Sequence, residues 1–371
     1  MKYSFACGGT GGHIYPAIAI AKEIQKRDKD AKILFIGREG GMEQKLVSRE
    51  GFDMKYINIR GFSRKKDIKS LFGNFVNIFR ALNSVLKCKK YLKQFGADIM
   101  IGTGGYVSGP GVMGAVLNGI PAVIHEQNAY AGFTTKLVAK KAKKVFLSFE
   151  NTKGTENLTN TVLTGNPVRE NILNADRDVC RTALNIDERP LVLSYGGSLG
   201  AQRVNDAMVD LLKLSQKDGL FNHIHATGAI EYENCMAKLK AAGVSVNGEK
   251  GIKVNEYIYN MDECMAACDI VIARSGAITL AEITCMGKPC ILIPSPNVAE
   301  NHQYFNAAVL RDGGAAVLIE EKDLTGKLLY DKLCNIACDT EKLKSMGKCS
   351  KALGLPDATK TIVDEIFSLL S

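Results

Sequence analysis

The sequence predicts an α/β protein built from two doubly wound parallel-sheet domains. Three observations lead to this fold class. The chain has 371 residues and is 46% hydrophobic, which is more than one ordinary core accommodates. Short β-branched runs alternate with helical stretches along the chain. This alternation restarts near residue 189, where a second strand leads into a glycine-rich turn. Alternating strands and helices indicate parallel sheets covered by helices on both faces.

The first half opens with a short apolar strand, Tyr3 to Cys7, followed by the glycine-rich stretch "GGTGGH" and a helix. Turn formers at Gly165, Asn166 and Pro167 interrupt the pattern, and we expect a first domain over residues 1–164. Further strands of this half are predicted within "AKILFIG" (31–37), "ADIMIGTGG" (97–105), "IPAVIHEQN" (120–128) and "AKKVFLSF" (142–149).

The second half repeats the order of strand, glycine-rich turn and helix in "RPLVLSYGGSLGAQRVNDAM" (189–208). We expect this second domain to cover residues 165–356. Its further strands are predicted in "HIHATG", "IKVNEYI", "CDIVIARSG", "KPCILIPSP" and "AAVLI". The last segment, 357–371, is an amphipathic helix with Ile362, Val363, Ile366 and Phe367 on one side, and we expect it to pack back on the first domain.

Composition favours a cytoplasmic protein with an anionic partner. No apolar run reaches the roughly 18 residues that a membrane-spanning helix needs, and the apolar start is too short for a signal peptide. Eleven scattered cysteines suit a reducing compartment. The pairs Cys264/Cys268 and Cys334/Cys338 have helical spacing and are interpreted as small core residues. The net charge of +9 favours an anionic partner, but no basic face interleaved with aromatic residues supports nucleic-acid binding.

Two glycine-rich turns connect a strand to a helix, at Gly8 to Gly12 and at Gly196 to Gly200. Such turns let a ligand approach the backbone, and the following helix offers free amides to an anion. Either turn could instead be only a tight connection. A dinucleotide-binding dehydrogenase would place an acid at the end of the second strand, where the chain has the ambiguous Gly37-Arg38-Glu39, so nicotinamide binding is disfavoured.

A third stretch, "DIVIARSGAITLAE" (269–282), places a helix start directly after an apolar strand. Amides near Ala277 could face phosphates while Glu282 accepts the hydroxyls of a ribose; the alternative is an acid that complements the helix dipole. About twenty residues later, Asn301, His302 and Gln303 follow another strand. These polar side chains suit sugar hydroxyls, although they could also belong to an ordinary capped loop.

Metal sites have weak support. The stretches "DKD" (28–30) and "DRD" (176–178) lie in charge-rich segments that are typical of solvated turns rather than of metal ligands. His223 and His225 could face one side of a strand as a metal pair, but core or pocket histidines are the simpler interpretation. We therefore expect no required cofactor or metal, and leave stimulation by a divalent ion open.

Seven motifs that follow one another along nearly the whole chain resemble the MurG family. They are "GGTGGH", "GTGGYVSGP", "HEQN", "GNPVR", "GGSLGAQ", "RSGAITLAE" and "ENHQYFNA". The resemblance implies the GT-B fold, with two Rossmann-like domains facing a cleft. It also implies an inverting transfer of N-acetylglucosamine from UDP-N-acetylglucosamine to the 4-hydroxyl of undecaprenyl-pyrophosphoryl-N-acetylmuramyl-pentapeptide (lipid I), which gives lipid II in peptidoglycan synthesis.

The resemblance also implies a set of donor-binding residues. In this implied set, Arg169 and Ser198 contact the diphosphate, the backbone around Ile258 reads the uracil, Glu282 takes the ribose, and Gln303 takes sugar hydroxyls. The full set is Thr10, Gly11, Gly12, Asn128, Arg169, Ser198, Ile258, Ala277, Ile278, Thr279, Leu280, Ala281, Glu282 and Gln303. His302 stands where some members of the family have glutamine.

His13 is the first candidate for the base that deprotonates the acceptor hydroxyl. It follows the first glycine turn directly, and an imidazole titrates near the working pH. The alternative is a helix residue that is merely hydrogen-bonded to a neighbouring loop. Glu126, at a predicted strand end, and Tyr106, after a glycine pair, are the other catalytic candidates.

A lipid acceptor implies contact with an anionic membrane surface from the cytoplasmic side. The stretch 60–90 joins a basic start to a predicted amphipathic helix. The alternative to a membrane-binding role is an ordinary core helix whose lysines are solvated. The candidate patch comprises Leu71, Phe72 and Phe75 with Arg64, Lys65, Lys66, Lys140, Lys141, Lys143 and Lys144. Two other functions share the donor: a UDP-N-acetylglucosamine 2-epimerase, and a non-catalytic nucleotide-sugar-binding subunit.

Overall fold

The computed structural model describes residues 1–59, 61, 68–197, 199–248 and 251–371, with the backbone but not the side chains of 68–76. Two compact units result: residues 1–167 together with 356–371, and residues 168–355. Each is described separately below as unit 1 and unit 2. Both contain a parallel sheet with helices on its two faces, which confirms the predicted α/β class.

Unit 1 is built on a sheet with the strand order β3, β2, β1, β4, β5, β6, β7. Its strands and helices, in chain order, are β1 (Lys2–Ala6), α1 (Gly11–Arg27), β2 (Lys32–Arg38), α2 (Met42–Arg49), β3 (Asp53–Ile57), α3 (Ile68–Phe95), β4 (Ile99–Gly102), α4 (Gly105–Val116), β5 (Ala122–Glu126), α5 (Phe133–Val138), β6 (Lys144–Leu147) and β7 (Thr161–Leu163). A 3-10 turn, Ala139–Lys141, follows α5.

Unit 2 is built on a sheet with the strand order β10, β9, β8, β11, β12, β13. Its elements are α6 (Glu170–Asn174), α7 (Arg177–Ala183), β8 (Leu191–Tyr195), α8 (Gln202–Asp218), β9 (Asn222–Ala226), α9 (Tyr232–Ala241), β10 (Ile252–Asn255), α10 (Met261–Ala267), β11 (Ile270–Ala273), α11 (Ala277–Cys285), β12 (Cys290–Leu292), α12 (His302–Asp312), β13 (Ala316–Leu318), α13 (Gly326–Ala337) and α14 (Thr340–Ala352). Short 3-10 turns lie at Ala299–Asn301 and Glu321–Asp323.

The last helix, α15 (Ala358–Ser368), belongs to unit 1 and packs against α1. Ile362, Val363 and Ile366 are fully buried in the same core as the inner face of α1 and the strands β1 and β2. At the rim, Arg27 donates to Asp364 at 2.5 Å. Burial of three aliphatic side chains, at about 1.5–3 kcal/mol each, therefore fixes the chain's end on unit 1.

Two edge strands were not predicted from the sequence. β3 and β7 lie at opposite edges of the sheet in unit 1, and most of their residues are partly or fully exposed. An edge strand with one wet face lacks the continuous apolar run that marks a central parallel strand. A search for continuous apolar runs therefore does not detect β3 and β7.

The interpretation of both cysteine pairs as core residues is partly wrong. Cys264 and Cys268 are buried, as predicted, but Cys334 is only half-buried and Cys338 is exposed. Cys338 follows the last residue of α13, where the helix surface turns to solvent. Helical spacing placed the two sulfurs on one side of the helix but did not determine what covers that side.

Candidate functional site

The first glycine turn connects β1 to α1 in unit 1. Thr10 is the N-cap residue of α1, is exposed, and makes no capping hydrogen bond with its side chain. Gly11 and Gly12 are the first two residues of the helix, so their amides lie in the first turn, where no helical carbonyl is available to accept from them. The three predicted contact residues therefore share one helix start.

A carboxylate that sequence reasoning missed lies beneath this turn. Glu43, on α2, is fully buried and accepts hydrogen bonds from the backbone amides of Gly9 (3.4 Å) and Arg38 (2.9 Å). The inner side of the first glycine turn thus already faces a negative group of the protein itself. No signal in the sequence separates this glutamate from an ordinary acid in the first turn of a helix.

Glu126 and Asn128 lie at the end of β5, close to one another. Glu126 is buried, and its carboxylate accepts from the backbone amides of Asn128 (3.1 Å) and Gly132 (2.9 Å) and from the Thr135 hydroxyl (2.6 Å). The Asn128 side chain donates to the same carboxylate at 3.2 Å. These hydrogen bonds tie the Glu126 carboxylate to the loop that precedes α5.

Tyr106 and His13 both lie beside the first glycine turn, but their side chains have different partners. Tyr106, in the first turn of α4, approaches Gly9 with its ring, and burial together with Glu43 raises the pKa of its hydroxyl. His13, in the first turn of α1, is half-buried, and its Nδ1 lies 2.9 Å from Oε1 of Gln127. A raised pKa makes this tyrosine a poorer source of phenolate near neutrality.

Unit 2 contains a cavity of ≈ 470 Å³ at the carboxyl end of its sheet. The second glycine turn forms one wall, and Gly200 is required there because its φ is +82° and a Cβ atom would come within 2.2 Å of the Thr227 carbonyl oxygen. The lining residues are Tyr195, Gly196, Gly197, Gly200, Ala201, Gln202, Arg203, Arg274, Gly276, Thr279, Ser295, Asn297, Gln303 and Glu321.

The start of α11 lies at this cavity. α11 begins at Ala277, as predicted, and its N-cap residue Gly276 has no side chain that could accept from the first-turn amides. Thr279 and Gln303 line the cavity, and Gln303 accepts from the backbone amide of Ser295 at 2.9 Å. Ile278, Leu280 and Ala281, also predicted from this helix, are not among the described residues that line the cavity.

Two arginines of the cavity were missed. Arg274 directly follows β11, donates to the carbonyl oxygens of Ile293 (3.1 Å) and Pro294 (3.2 Å), and pairs with Glu321. Arg203 lies in the first turn of α8. Guanidinium groups are suited to binding phosphate. An arginine close in sequence to a glycine-rich turn was therefore the signal that could have identified these two residues.

Arg169 and Glu282 form an ion pair within unit 2. Nε and Nη2 of Arg169 lie 3.1 and 3.0 Å from Oε1 of Glu282. The glutamate side chain is 9% exposed, and burial raises its pKa against the opposing effect of the arginine. Oε2 has no hydrogen-bond partner among the residues described, so one oxygen of this carboxylate can accept from a ligand.

Ile258 lies in the loop between β10 and α10. It is buried, whereas its neighbours Tyr257 and Tyr259 are exposed and meet edge to face with ring centroids 5.0 Å apart. Ile258, Arg169 and Glu282 are not among the described residues that line the cavity. Ser198 lies outside the described residues.

In the described part of the chain, no group of three or more histidine, cysteine, aspartate or glutamate side chains is arranged to hold a metal ion. Asp176 caps α7 by accepting from the amides of Asp178 and Val179, and Asp28 follows the end of α1. His223 and His225 are buried against Ser215 (2.7 Å) and Ser194 (2.9 Å).

Two family models cover most of the chain. The glycosyltransferase family 28 N-terminal domain matches residues 3–147, and the glycosyltransferase family 28 C-terminal domain matches residues 191–362. The UDP-N-acetylglucosamine–N-acetylmuramyl-(pentapeptide) pyrophosphoryl-undecaprenol N-acetylglucosamine transferase of Thermoanaerobacter sp. (strain X514) is 44% identical over 371 residues, covering 100% of both chains. This chain belongs to the MurG family.

Solved structures agree with this membership. MurG of Acinetobacter baumannii is similar with a TM-score of 0.79 and 29% identity, over 99% of each chain. The UDP-GlcNAc 2-epimerase of Neisseria meningitidis has a TM-score of 0.68 at 15% identity, over 99% of this chain and 100% of that one, and this likeness concerns the fold alone. The chain is thus a GT-B glycosyltransferase of the MurG family, which acts in peptidoglycan synthesis.

Proposed function

We propose that the chain transfers N-acetylglucosamine from UDP-N-acetylglucosamine to the 4-hydroxyl of the N-acetylmuramyl unit of lipid I, with inversion, and so forms lipid II. The full-length identity of 44% to a transferase named for this donor and acceptor is the observation that carries the proposal. Substrate choice depends on all the residues of a site. The identity extends across both units, so it includes every segment that carries a predicted site residue.

Unit 2 holds the donor in this proposal. The first-turn amides of α11 and the Arg169 guanidinium bind the diphosphate, with Ser198 as a further donor. Oε2 of Glu282 accepts from a ribose hydroxyl, backbone groups around Ile258 bind uracil, and Gln303 binds the transferred sugar. The ion pair between Arg169 and Glu282 supports the assignment because it places a phosphate-binding cation next to a carboxylate with one oxygen available.

Unit 1 deprotonates the acceptor. His13 accepts the proton as the O–H bond of the 4-hydroxyl breaks, the oxygen attacks the anomeric carbon, and the bond to UDP breaks with its electron pair leaving on the diphosphate. Thr10, Gly11, Gly12 and Asn128 contact the sugar and diphosphate. Negative charge on the departing diphosphate is stabilised by amides and Arg169, and we propose that the reaction requires no metal.

UDP release in the presence of an acceptor tests the function. Purified protein mixed with UDP-N-acetylglucosamine and a short-chain lipid I analogue is expected to release UDP, with the sugar recovered on the acceptor as a β-linked product by NMR. Without acceptor, UDP release should be at background. Release without acceptor accompanied by a 2-epimer of the sugar would instead identify the epimerase, and UDP binding without turnover would identify a binding subunit.

We further propose that unit 1 contacts the cytoplasmic surface of the membrane. Within the described part of the chain no helix is long and apolar enough to cross a bilayer. Helix α4 packs against both α3 and α5, and we call the exposed apolar side chains on these helices, together with the residue directly after α4, the apolar face. Its residues are Phe79, Leu82, Leu86, Leu117, Phe133 and Leu137.

The charges near this face differ from the expectation. Lys140, Lys141 and Lys143 are exposed after α5, but Lys144 pairs with Glu365 and does not belong to the patch. The predicted residues Leu71, Phe72, Phe75, Arg64, Lys65 and Lys66 lie outside the described side chains. Exposed leucines beside lysines suit the boundary between acyl chains and anionic headgroups.

Substituting the apolar face is expected to weaken vesicle binding. Leu82→Glu should lower the partition coefficient onto vesicles containing anionic phospholipid about tenfold, because it exchanges burial of an aliphatic side chain for repulsion. Sedimentation of the protein with vesicles measures this. Val179→Glu, at an aliphatic position of unit 2 that is at least as exposed as Leu82, is the control and should sediment as the wild type does. Equal binding by Leu82→Glu would refute the membrane proposal.

A further inference from the structure

Three side chains of unit 1 form a continuous row of hydrogen bonds. Nδ1 of His13 lies 2.9 Å from Oε1 of Gln127, and Nε2 of Gln127 lies 2.9 Å from Nδ1 of His125. Nε2 of His125 lies 2.9 Å from the Gly165 carbonyl oxygen. The row joins the first turn of α1 to the end of β5 and to the loop after β7. Gln127 is neither a predicted catalytic residue nor a predicted donor-binding residue.

The orientation of the Gln127 amide is determined by a backbone carbonyl. Its Nε2 donates to the Thr103 carbonyl oxygen at 2.8 Å. Turning the amide around would place Oε1 against that oxygen, and two acceptors repel each other. The side chain is 2% exposed, so water cannot relieve such a clash. Oε1 therefore faces His13.

The tautomer of His125 agrees with this orientation. The Gly165 carbonyl oxygen can only accept, so Nε2 of His125 carries the proton and Nδ1 accepts from Gln127. The ring is fully buried, and burial lowers its pKa to about 4. His125 is therefore neutral near pH 7, and its Nδ1 accepts a hydrogen bond from the Gln127 amide nitrogen. Oε1 of Gln127 remains available to accept from His13.

We propose that Gln127 is a positioning residue that fixes the tautomer of His13. An acceptor at 2.9 Å from Nδ1 requires that Nδ1 carry the proton, and in the neutral ring the lone pair is then on Nε2. Nε2 is the nitrogen that takes the proton from the acceptor hydroxyl. This inference rests on the proposed function, because it gives His13 the role of base.

Thr103 and Gly104, which follow β4, bear on the backbone of His13 and on the space beside its ring. Thr103, whose carbonyl orients the amide, also donates from its hydroxyl to the His13 carbonyl oxygen at 2.7 Å. Gly104 has a φ of +99°, and a Cβ atom there would come within 2.5 Å of Nδ1 of His13. A side chain at this position would occupy the space of the hydrogen bond between His13 and Gln127.

Gln127→Met and Gln127→Glu test the inference by kinetics. The methionine is nearly isosteric but offers only a weak thioether acceptor, so kcat should fall at least about tenfold while KM for both substrates changes less than about twofold. Loss of the acceptor disfavours the imidazolium, so the acid limb of the kcat profile should move to lower pH. The glutamate adds a negative charge beside Nδ1 and should move that limb to higher pH.

Glu126 and His13 are titratable groups that act on His125, and neither is altered by the substitutions at Gln127. Gln44→Met, which removes an amide that accepts from Gly40 elsewhere in unit 1, is the control and should keep the wild-type profile. A purely structural role of Gln127 would not shift the acid limb in opposite directions in the two variants.

Nitrogen-15 NMR of the imidazole rings tests the tautomer without turnover. The chain has five histidines, and His13→Asn identifies the His13 signals by their loss. In its neutral form, His13 should show a protonated Nδ1 and an unprotonated Nε2 in the wild type, and a mixture of tautomers in Gln127→Met.

The two experiments separate failure of this inference from failure of the proposed function. A proton on Nε2 of neutral His13, or a wild-type kcat and pH profile in Gln127→Met, would overturn the inference while leaving the transferase intact. An inactive wild type would overturn the proposed function, and the ring signals would still decide the tautomer.

Discussion

Replacing His13 by alanine is expected to lower kcat by at least about a hundredfold, within the range of about 10²–10⁴ that general-base groups contribute. The ring lies in the first turn of α1, beside the glycine turn, and is held through Nδ1. Its loss removes the proposed proton acceptor but no buried apolar group. The free energy of unfolding should fall by no more than about 3 kcal/mol, because the ring is only half-buried but its loss leaves Oε1 of Gln127 without a donor.

Steady-state turnover with a lipid I analogue measures this effect, and urea unfolding together with UDP affinity provides the control for folding and donor binding. Tyr106→Phe is the comparison that separates the candidates for the base. If His13 is the base, the phenylalanine variant should lose less than about tenfold in kcat. Near-normal turnover in His13→Ala with a large loss in Tyr106→Phe would transfer the role to Tyr106.

The hydrogen-bonded state of Glu126 guides the choice among the three candidates. Its carboxylate already accepts from Gly132, Thr135 and Asn128, and all of these donors hold the loop before α5. These hydrogen bonds occupy lone pairs that a general base would need for the proton of the acceptor hydroxyl. We therefore assign it to loop positioning and His13 to proton transfer.

Replacing Glu282 by alanine is expected to raise the Kd for UDP about 10- to 100-fold. A hydrogen bond to a charged group contributes about 1.5–3 kcal/mol, and the carboxylate offers Oε2 to a ribose hydroxyl while Oε1 remains with Arg169. The variant also leaves Arg169 without its partner. Calorimetric titration of UDP into the protein measures the change.

A deoxy nucleotide isolates the ribose contribution. Wild-type protein should bind 2′-deoxy-UDP more weakly than UDP, whereas Glu282→Ala should bind the two about equally. Glu341→Gln, at an exposed acid of α14, is the control for the change in net charge. If Glu282→Ala still discriminates between UDP and 2′-deoxy-UDP as strongly as the wild type does, the ribose is held by another group.

The second glycine turn illustrates how far sequence reasoning reached. The stretches "YGGSLGAQ" and "RSGAIT" predicted strand ends, tight turns and helix starts, because glycine conformation and apolar runs are local properties. The cavity that these turns form was not predicted in detail. Arg203 and Arg274 became part of it only through the neighbouring positions of β8 and β11 in the sheet.

The buried polar partners were beyond the reach of the sequence. Glu43 reads as a surface acid of a short amphipathic helix, yet it is fully buried under the first turn and accepts from Gly9. Gln127 lies within a quoted motif but was assigned no role. Neither side chain differs in type or spacing from residues on an exposed face, because spacing does not report which element covers a side chain.

The sequence by itself determined two α/β units, their central strands, the helix starts at the glycine turns and membership of a family. These follow from periodicity and local backbone preference, which adjacent residues carry. The tertiary structure decided which side chains meet: His13 with Gln127, 114 residues apart, and Arg169 with Glu282, 113 residues apart. The reason is that hydrogen-bond partners depend on the order of strands in a sheet, and that order is fixed by packing rather than by sequence separation.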